Sequence, residues 1–195
     1  MIRKNRNDYY FNLAKKEGYL ARSAYKLKTA DLKYNLIRKG DAVLDLGCYP
    51  GSWLQYCAER VGKKGVLVGV DRKEPESLPG EVTFIQGDVH VMDLETIRQA
   101  FPEFDLVLSD LAPDTTGDRF VDGVRSYELA NRALDIADAL LKPGGRFFCK
   151  IFQSGEFDVF LTDVRRAYET TRVFKPPSSR KASRETFVVG INKRI

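Results

Sequence analysis

The sequence predicts an α/β fold in which a mostly parallel sheet carries helices on both faces. Three observations lead there. Short runs of apolar, β-branched or aromatic residues recur from Ala42 onward, each bounded by Gly, Pro or Asp, as strands buried on both faces do. Segments with helical spacing lie between them, and such alternation calls for parallel strands joined by crossover helices. The chain has 195 residues, 43% of them hydrophobic, which suits one compact domain with a substantial core.

Taken in order, residues 8–39 read as helical and basic, with Tyr19, Leu20, Ala24, Leu27 and Leu36 available for a buried stripe. Residues 42–46, 66–70, 82–85, 106–108 and 147–152 read as the five buried strands. Residues 53–61, 92–101, 124–141 and 156–168 read as the helices between and after them. Residues 171–174 and 186–191 read as two further strands with only the turn-like Lys175-Pro176-Pro177-Ser178-Ser179 between them, so they are expected to pair antiparallel at one edge. That makes a seven-stranded sheet in a single domain over residues 1–195, with residues 1–40 as a basic helical extension and 41–195 as the core. No internal repeat or low-complexity tract interrupts it.

Charge is distributed unevenly. Residues 1–40 carry 11 basic and 3 acidic residues, residues 41–164 carry 12 and 22, and residues 165–195 carry 9 and 2. Two basic ends brought to one face would make a surface for a polyanion, whereas the acidic centre must serve another purpose. The cysteines, Cys48, Cys57 and Cys149, with the lone His90, give neither a disulfide framework nor a zinc-ligand spacing, so a reduced cytoplasmic protein without a metal is expected. No apolar run reaches the roughly 18 to 20 residues a membrane helix needs. The start is basic and then aromatic, unlike a secretory signal, and Asp8 and Glu17 argue against a transit peptide.

In such sheets the ligand sits beyond the carboxyl ends of the strands. The first strand runs into Asp45-Leu46-Gly47-Cys48-Tyr49-Pro50-Gly51-Ser52-Trp53, where Gly47 and Gly51 permit close backbone approach and a helix start offers free N–H groups. The dinucleotide fingerprint needs glycine where Tyr49 stands, which weakens a nicotinamide-dependent oxidoreductase reading. The second strand ends at Asp71, placed to accept ribose hydroxyls, and the third at Gln86-Gly87-Asp88. Any one of Asp45, Asp71 and Asp88 alone would read as a turn starter or helix cap. Three at successive strand ends form an acidic rim that repels phosphate and suits a cationic adenosine ligand, and S-adenosylmethionine (SAM) fits that description. The fourth strand leads into Ser109-Asp110-Leu111-Ala112-Pro113-Asp114, and the fifth holds Lys150 among Phe147, Phe148, Cys149, Ile151 and Phe152. An ammonium there must either be paired, lose its charge or snorkel out of the strand end, and a lysine beside an aspartate can serve as a proton acceptor.

The segments Asp45-Leu46-Gly47-x-x-Pro50-Gly51-x-Trp53, Ser109-Asp110-x-Ala112-Pro113, Lys150-x-Phe152-Gln153 and Ser178-Ser179-Arg180-x-x-Ser183-Arg184-Glu185, with Arg22-Ser23-Ala24-Tyr25-Lys26-Leu27 earlier, resemble the FtsJ-type (RrmJ-like) ribose 2′-O-methyltransferases of large-subunit ribosomal RNA. The resemblance runs over nearly the whole chain. It implies a Rossmann-like SAM-dependent methyltransferase fold ending in an antiparallel hairpin. It also implies a catalytic tetrad of Lys26, Asp110, Lys150 and Glu185, with Lys150 as the proton acceptor, and a SAM pocket lined by Gly51, Trp53, Asp71, Asp88 and Asp110. A uridine in 23S-type rRNA is the implied target, with the large ribosomal subunit or its rRNA as partner, and a monomer is the default expectation. The basic segments 3–39 and 165–184 would hold the RNA backbone, and Tyr9, Tyr10, Tyr19 and Tyr25 are available for base stacking.

Cys48-Tyr49 stands where small residues are usual in that pattern, Ser52 where Gly is usual and Asp114 where Asn is usual. Cys48 lies near the cofactor loop without a partner to make it a nucleophile, and His90 receives no role. A tRNA ribose methyltransferase and a noncatalytic RNA-binding assembly factor are the alternatives.

Overall fold

A computed structural model of the protein describes residues 6–75, 77–179 and 182–195, with side chains from residue 9 onward. The basic residues at 3–5, Arg180 and Lys181, which belong to the expected RNA-binding segments, lie outside the described residues. Helices α1 (Arg6–Glu17) and α2 (Ala24–Tyr34) precede the sheet. Then come β1 (Ala42–Leu46), α3 (Ser52–Val61), β2 (Val66–Asp71), β3 (Val82–Gln86), α4 (Leu94–Ala100), β4 (Phe104–Ser109), α5 (Arg119–Leu140), β5 (Leu141–Phe152), α6 (Phe157–Ala167), β6 (Tyr168–Phe174) and β7 (Glu185–Lys193). The strand order is β3-β2-β1-β4-β5-β7-β6, parallel from β3 to β5, with β7 antiparallel to both β5 and β6. The expected seven-stranded mixed sheet is therefore present, and the change of direction between β1 and β4 opens the crevice where ligands bind in such sheets.

Several boundaries differ from expectation, among them β6, which begins at Tyr168 and not at residue 171, and three have a plain local reason. The stretch 8–39 is two helices: Gly18 adopts φ 78°, the chain turns through residues 18–23, and α2 stops at Asn35 in the left-handed region with φ 52°. Helix α5 begins ahead of residue 124 because the Asp118 carboxylate accepts from the N–H groups of Phe120 and Val121, capping a polar first turn. Strand β5 begins at Leu141, which pairs with Phe104. The next pairing is Arg146 with Leu106, so the turn-like residues between form a bulge inside the strand.

Alternation along the strands sorts the core into two layers. Ala42, Leu44 and Leu46 of β1, Phe147, Cys149 and Ile151 of β5 and Val188 of β7 pack with α5 and α6. Val43, Leu106, Leu108, Phe148, Phe187 and Val189 pack on the opposite face with α2 and α3. By the same alternation Asp45, Lys150 and Glu185 belong to the α2–α3 face. Helix α2 also meets the C-terminal hairpin, with Tyr34 edge-on to Phe174 at 5.7 Å and the Lys33 ammonium 5.7 Å from the Phe174 ring centre. Part of each basic end, α2 and the C-terminal hairpin, thus sits together. No helix among the described residues is long and apolar enough to cross a membrane.

Candidate active site

Four charged side chains from distant parts of the sequence converge where β4 and β5 end and β7 begins. Lys150 is the fourth residue of the aromatic run in β5, on the face where Phe148 and Phe187 pack, and its neighbour across the sheet is Phe187. It does not snorkel: the residue is only 6% exposed, and its ammonium lies 2.9 Å from Asp110 Oδ1 and donates to the Asp110 backbone carbonyl. Asp110 follows β4 directly, its N–H held by the Leu46 carbonyl at 3.2 Å. Lys26 reaches in from α2, donating to Glu185 Oε2 at 2.7 Å, with Asp110 Oδ1 at 3.7 Å and the Phe187 ring below it. Glu185 opens β7 and takes a second bond from Ser179 Oγ at 2.8 Å, so both of its oxygens are held.

The electrostatics of the cluster follow from burial set against pairing. Burial alone would raise the Asp110 carboxyl, but the Lys150 and Lys26 ammonium groups outweigh it and hold its pKa below the ordinary value. Burial alone would likewise lower Lys26, and the Asp110 and Glu185 carboxylates hold it above the ordinary lysine value instead. Both groups therefore keep their charges at neutral pH in a largely buried setting.

A cleft of about 530 Å³ opens beside this cluster, across the ends of β1 to β4. Asp71, Asp88 and Asp110 line it, together with Gly47, Tyr49, Arg72, Lys73, His90, Leu111 and Asp114. Four carboxylates against the three basic side chains Arg72, Lys73 and Arg125 leave the lining net negative, which favours a ligand of net positive charge. Gly47, at φ 78°, is required here: a Cβ would lie 2.9 Å from Leu111 Cδ2, where the β1 and β4 loops close on each other. The Asp71 carboxylate accepts from the N–H groups of Tyr49 and Lys73, at 2.9 Å each, and Asp88 Oδ1 accepts from His90 N–H.

The other residues singled out in the sequence lie elsewhere. Asp45 is not on the rim but fully buried in the α3-facing row below it, and among the described residues neither carboxylate oxygen has a hydrogen-bond partner. Burial, then the Asp110 and Asp71 charges, push its carboxyl well above the ordinary value. Gly51 is buried beneath Leu20 and Leu78 and is not part of the cleft wall. Trp53, 3% exposed, stacks on Phe148 at 5.6 Å and donates through Nε1 to the Ser23 carbonyl at 2.8 Å, which places it behind the cleft. Ser52 pairs with Ser23 through their hydroxyls at 2.8 Å, so this departure from the usual glycine ties α3 to the start of α2. The Cys48 thiol is buried and pushed up by that burial, in keeping with a side chain that is no nucleophile. Of the four tyrosines considered for stacking, Tyr19 and Tyr25 are core residues, 7% and 4% exposed, whereas Tyr9 is 58% exposed. His90 and Arg125 of the cleft wall carried no functional signal in the sequence, and Tyr49 showed only as a departure from the usual small residue, because a loop residue's exposure to a cavity has no periodic signature.

A family model described as FtsJ-like methyltransferase matches residues 19–193. Ribosomal RNA large subunit methyltransferase E of Desulfosudis oleivorans is 46% identical over 188 residues, covering 96% of this chain and 91% of that relative. The protein of the same name from Syntrophobacter fumaroxidans is 47% identical over 191 residues, covering 96% of each chain. The crystal structure of a ribosomal RNA methyltransferase from Plasmodium falciparum matches with a TM-score of 0.80 at 29% identity, covering 90% of this chain and 98% of that one.

Proposed function

This chain belongs to the FtsJ-like methyltransferase family, and from that premise we propose that it transfers the methyl group of SAM to a ribose 2′-hydroxyl of RNA, with a uridine of large-subunit rRNA as the target. The observation that carries the reading is the convergence of Lys26, Asp110, Lys150 and Glu185 at the edge of a cleft walled by Asp71, Asp88 and Asp110. The rRNA target is supported by the names of relatives that span nearly the whole chain.

The cleft suits the donor on two counts. Its volume is in the range of small-molecule sites, and its four carboxylates outnumber its three basic side chains, which leaves a net negative lining for a ligand carrying a sulfonium and an ammonium. Asp71 would take the ribose hydroxyls, with Asp88 and Asp110 on the same wall. Asp45 lies beneath them, and Gly51 and Trp53 act from behind, by shaping and backing the loop. SAM supplies a methyl group on a positively charged sulfur, already a strong electrophile.

What the protein must add is placement of the acceptor and a route for its proton. Lys150 Nζ is the group placed to take the 2′-hydroxyl proton, which requires that its own proton first pass to solvent, and Asp110 at 2.9 Å holds the ammonium that the transfer restores. Lys26 stays charged between Asp110 and Glu185 and fixes both carboxylates, so that the pair faces the acceptor in one arrangement. The RNA itself would run over the side where α2 meets the C-terminal hairpin, with Lys15, Lys16, Lys28 and Lys33 of α1 and α2 and Arg172 and Lys175 near the hairpin, whereas Arg165 and Arg166, in the last turn of α6 on the opposite face of the sheet, lie away from it. Tyr9 and Phe11, both well exposed, are available there for stacking. We place this chemistry in the cytoplasm and in a single copy of the chain.

The test is transfer of label from isotopically labelled SAM to large subunits, naked rRNA or tRNA, prepared from cells lacking the modification, followed by digestion to nucleosides. Label is expected in 2′-O-methyluridine from large-subunit RNA, and Lys150→Ala should lower its rate by about 10²–10⁴-fold. Label in tRNA would overturn the target. No label in any pool would overturn the transferase reading for these substrates, and label undiminished in Lys150→Ala would overturn the role of that lysine.

A further inference from the structure

Tyr49 stands on the cleft wall without a part in the chemistry above. It is 45% exposed, while Cys48 before it and Gly51 after it are buried. An aromatic ring left open to solvent in a loop forgoes burial that a ligand could supply. The loop is also held firmly. The Tyr49 N–H donates to Asp71 Oδ2 at 2.9 Å and the Lys73 N–H to Asp71 Oδ1 at 2.9 Å, so one carboxylate joins the loop after β1 to the loop after β2. The Lys73 ammonium lies 5.6 Å from the centre of the Tyr49 ring, and both residues line the cleft. The ring is therefore tethered through its own backbone to the carboxylate that the proposed function assigns to the donor's ribose.

We propose that Tyr49 is a donor-binding residue whose ring covers the ribose side of SAM bound at Asp71. This rests on the donor assignment of the preceding subsection and adds a contact that the tetrad and the acidic wall do not provide. The contact belongs to the ring face, since covering a ribose needs area and not a hydroxyl. It acts on the adenosine portion shared by SAM, by its demethylated product S-adenosylhomocysteine and by 5′-methylthioadenosine.

Calorimetric titration of the full chain with these three compounds tests it, using wild type, Tyr49→Phe, Tyr49→Leu and Tyr49→Ala. Tyr49→Phe should bind each compound within about twofold of wild type, and Tyr49→Ala about tenfold more weakly for all three, with Tyr49→Leu between. The melting temperature of each variant monitors folding, and Tyr49→Leu keeps the comparison usable should the alanine variant unfold. Wild-type affinity in Tyr49→Ala overturns the proposal. A loss confined to SAM and S-adenosylhomocysteine also overturns it, because the contact would then lie at the amino-acid end. Failure of the wild-type protein to bind any of the three overturns the donor assignment itself, an outcome distinct from a wild type that binds and a variant that binds equally.

Discussion

Asp45 and Asp110 lie at the ends of neighbouring strands, both withdrawn from solvent, and their surroundings drive them in opposite directions. Asp110 meets two ammonium groups, at 2.9 and 3.7 Å, and its carboxyl is held below the ordinary range. Asp45 meets Cys48 and Cys57 on the α3 side, has no hydrogen-bond partner among the described residues, and is pushed well above that range by burial. Burial is common to both, so the lysines make the difference: without a counter-charge a buried carboxyl gives up its ionised form, and with two it keeps it. An anionic site in this sheet is therefore made by Lys150 and Lys26, not by the strand end as such.

The largest effect should come from removing that distinction at the cluster. Asp110→Asn removes the anion between Lys26 and Lys150 and leaves only Glu185, on the Lys26 side, and methyl transfer should fall by about 10²–10³-fold, measured under single turnover. The melting temperature should fall with it, because two like charges then share a buried site. Activity near wild type would show that the lysines need no anion between them.

The same substitution at Asp45 should act in the opposite sense. A raised carboxyl pKa means that the folded protein binds a proton the unfolded chain releases, so the cost of Asp45 is absent below the ordinary value of 3.8 and grows as pH rises toward the raised folded value. Asp45→Asn should therefore melt with wild type near pH 4 and above it at pH 7, gaining about 1.4 kcal/mol for each pH unit until the folded pKa is reached. For a chain of this size each kcal/mol corresponds to about 2–4 °C. Asp110 has the reverse dependence: its lowered pKa contributes stability above 3.8 that is lost only as pH falls below it. Melting curves of both variants across pH 3 to pH 8 (about five units) separate the two signs, and an Asp45→Asn variant less stable than wild type at pH 7 would show that the carboxylate has a partner.

The smallest effect should be at the rim. Asp114 and Arg72 approach to 3.9 Å across the cleft mouth with side chains 92% and 63% exposed, where solvent screens such pairs almost entirely. Asp114→Asn should leave the melting temperature within about 1 °C of wild type. A larger drop would mean that exposure does not screen this pair, which would weaken the contrast drawn between buried and open carboxylates.

How much of this could be read from the sequence depended on whether a residue's environment leaves a local trace. The strands were legible because burial on both faces produces unbroken apolar runs such as Ala42-Val43-Leu44. Lys150 was legible because an ammonium inside an aromatic run violates that pattern. Lys26 and Glu185 violate nothing, being ordinary polar residues on a helix and at a strand start, and only the resemblance pointed to them; their meeting is a property of the sheet order. Asp45 read as one of three rim carboxylates, but strand alternation turns its side chain inward, whereas Asp71 and Asp88 reach the cleft wall. The break at Gly18 and the burial of Tyr25 left no such trace, whereas Tyr19 lies buried as the expected stripe has it and Leu20, expected beside it, is exposed, because the depth of the stripe is set by packing against α3.

Trp53 gives the molecule a built-in optical reporter. It is the sole indole in the chain, enclosed by Phe148 and Phe187, and its N–H is committed to the Ser23 carbonyl at the threshold of α2. Its emission therefore belongs to the blue, dry end of the tryptophan range, and any displacement of α2, the helix that carries Lys26, would release that N–H and change the colour and intensity of the fluorescence without an added dye.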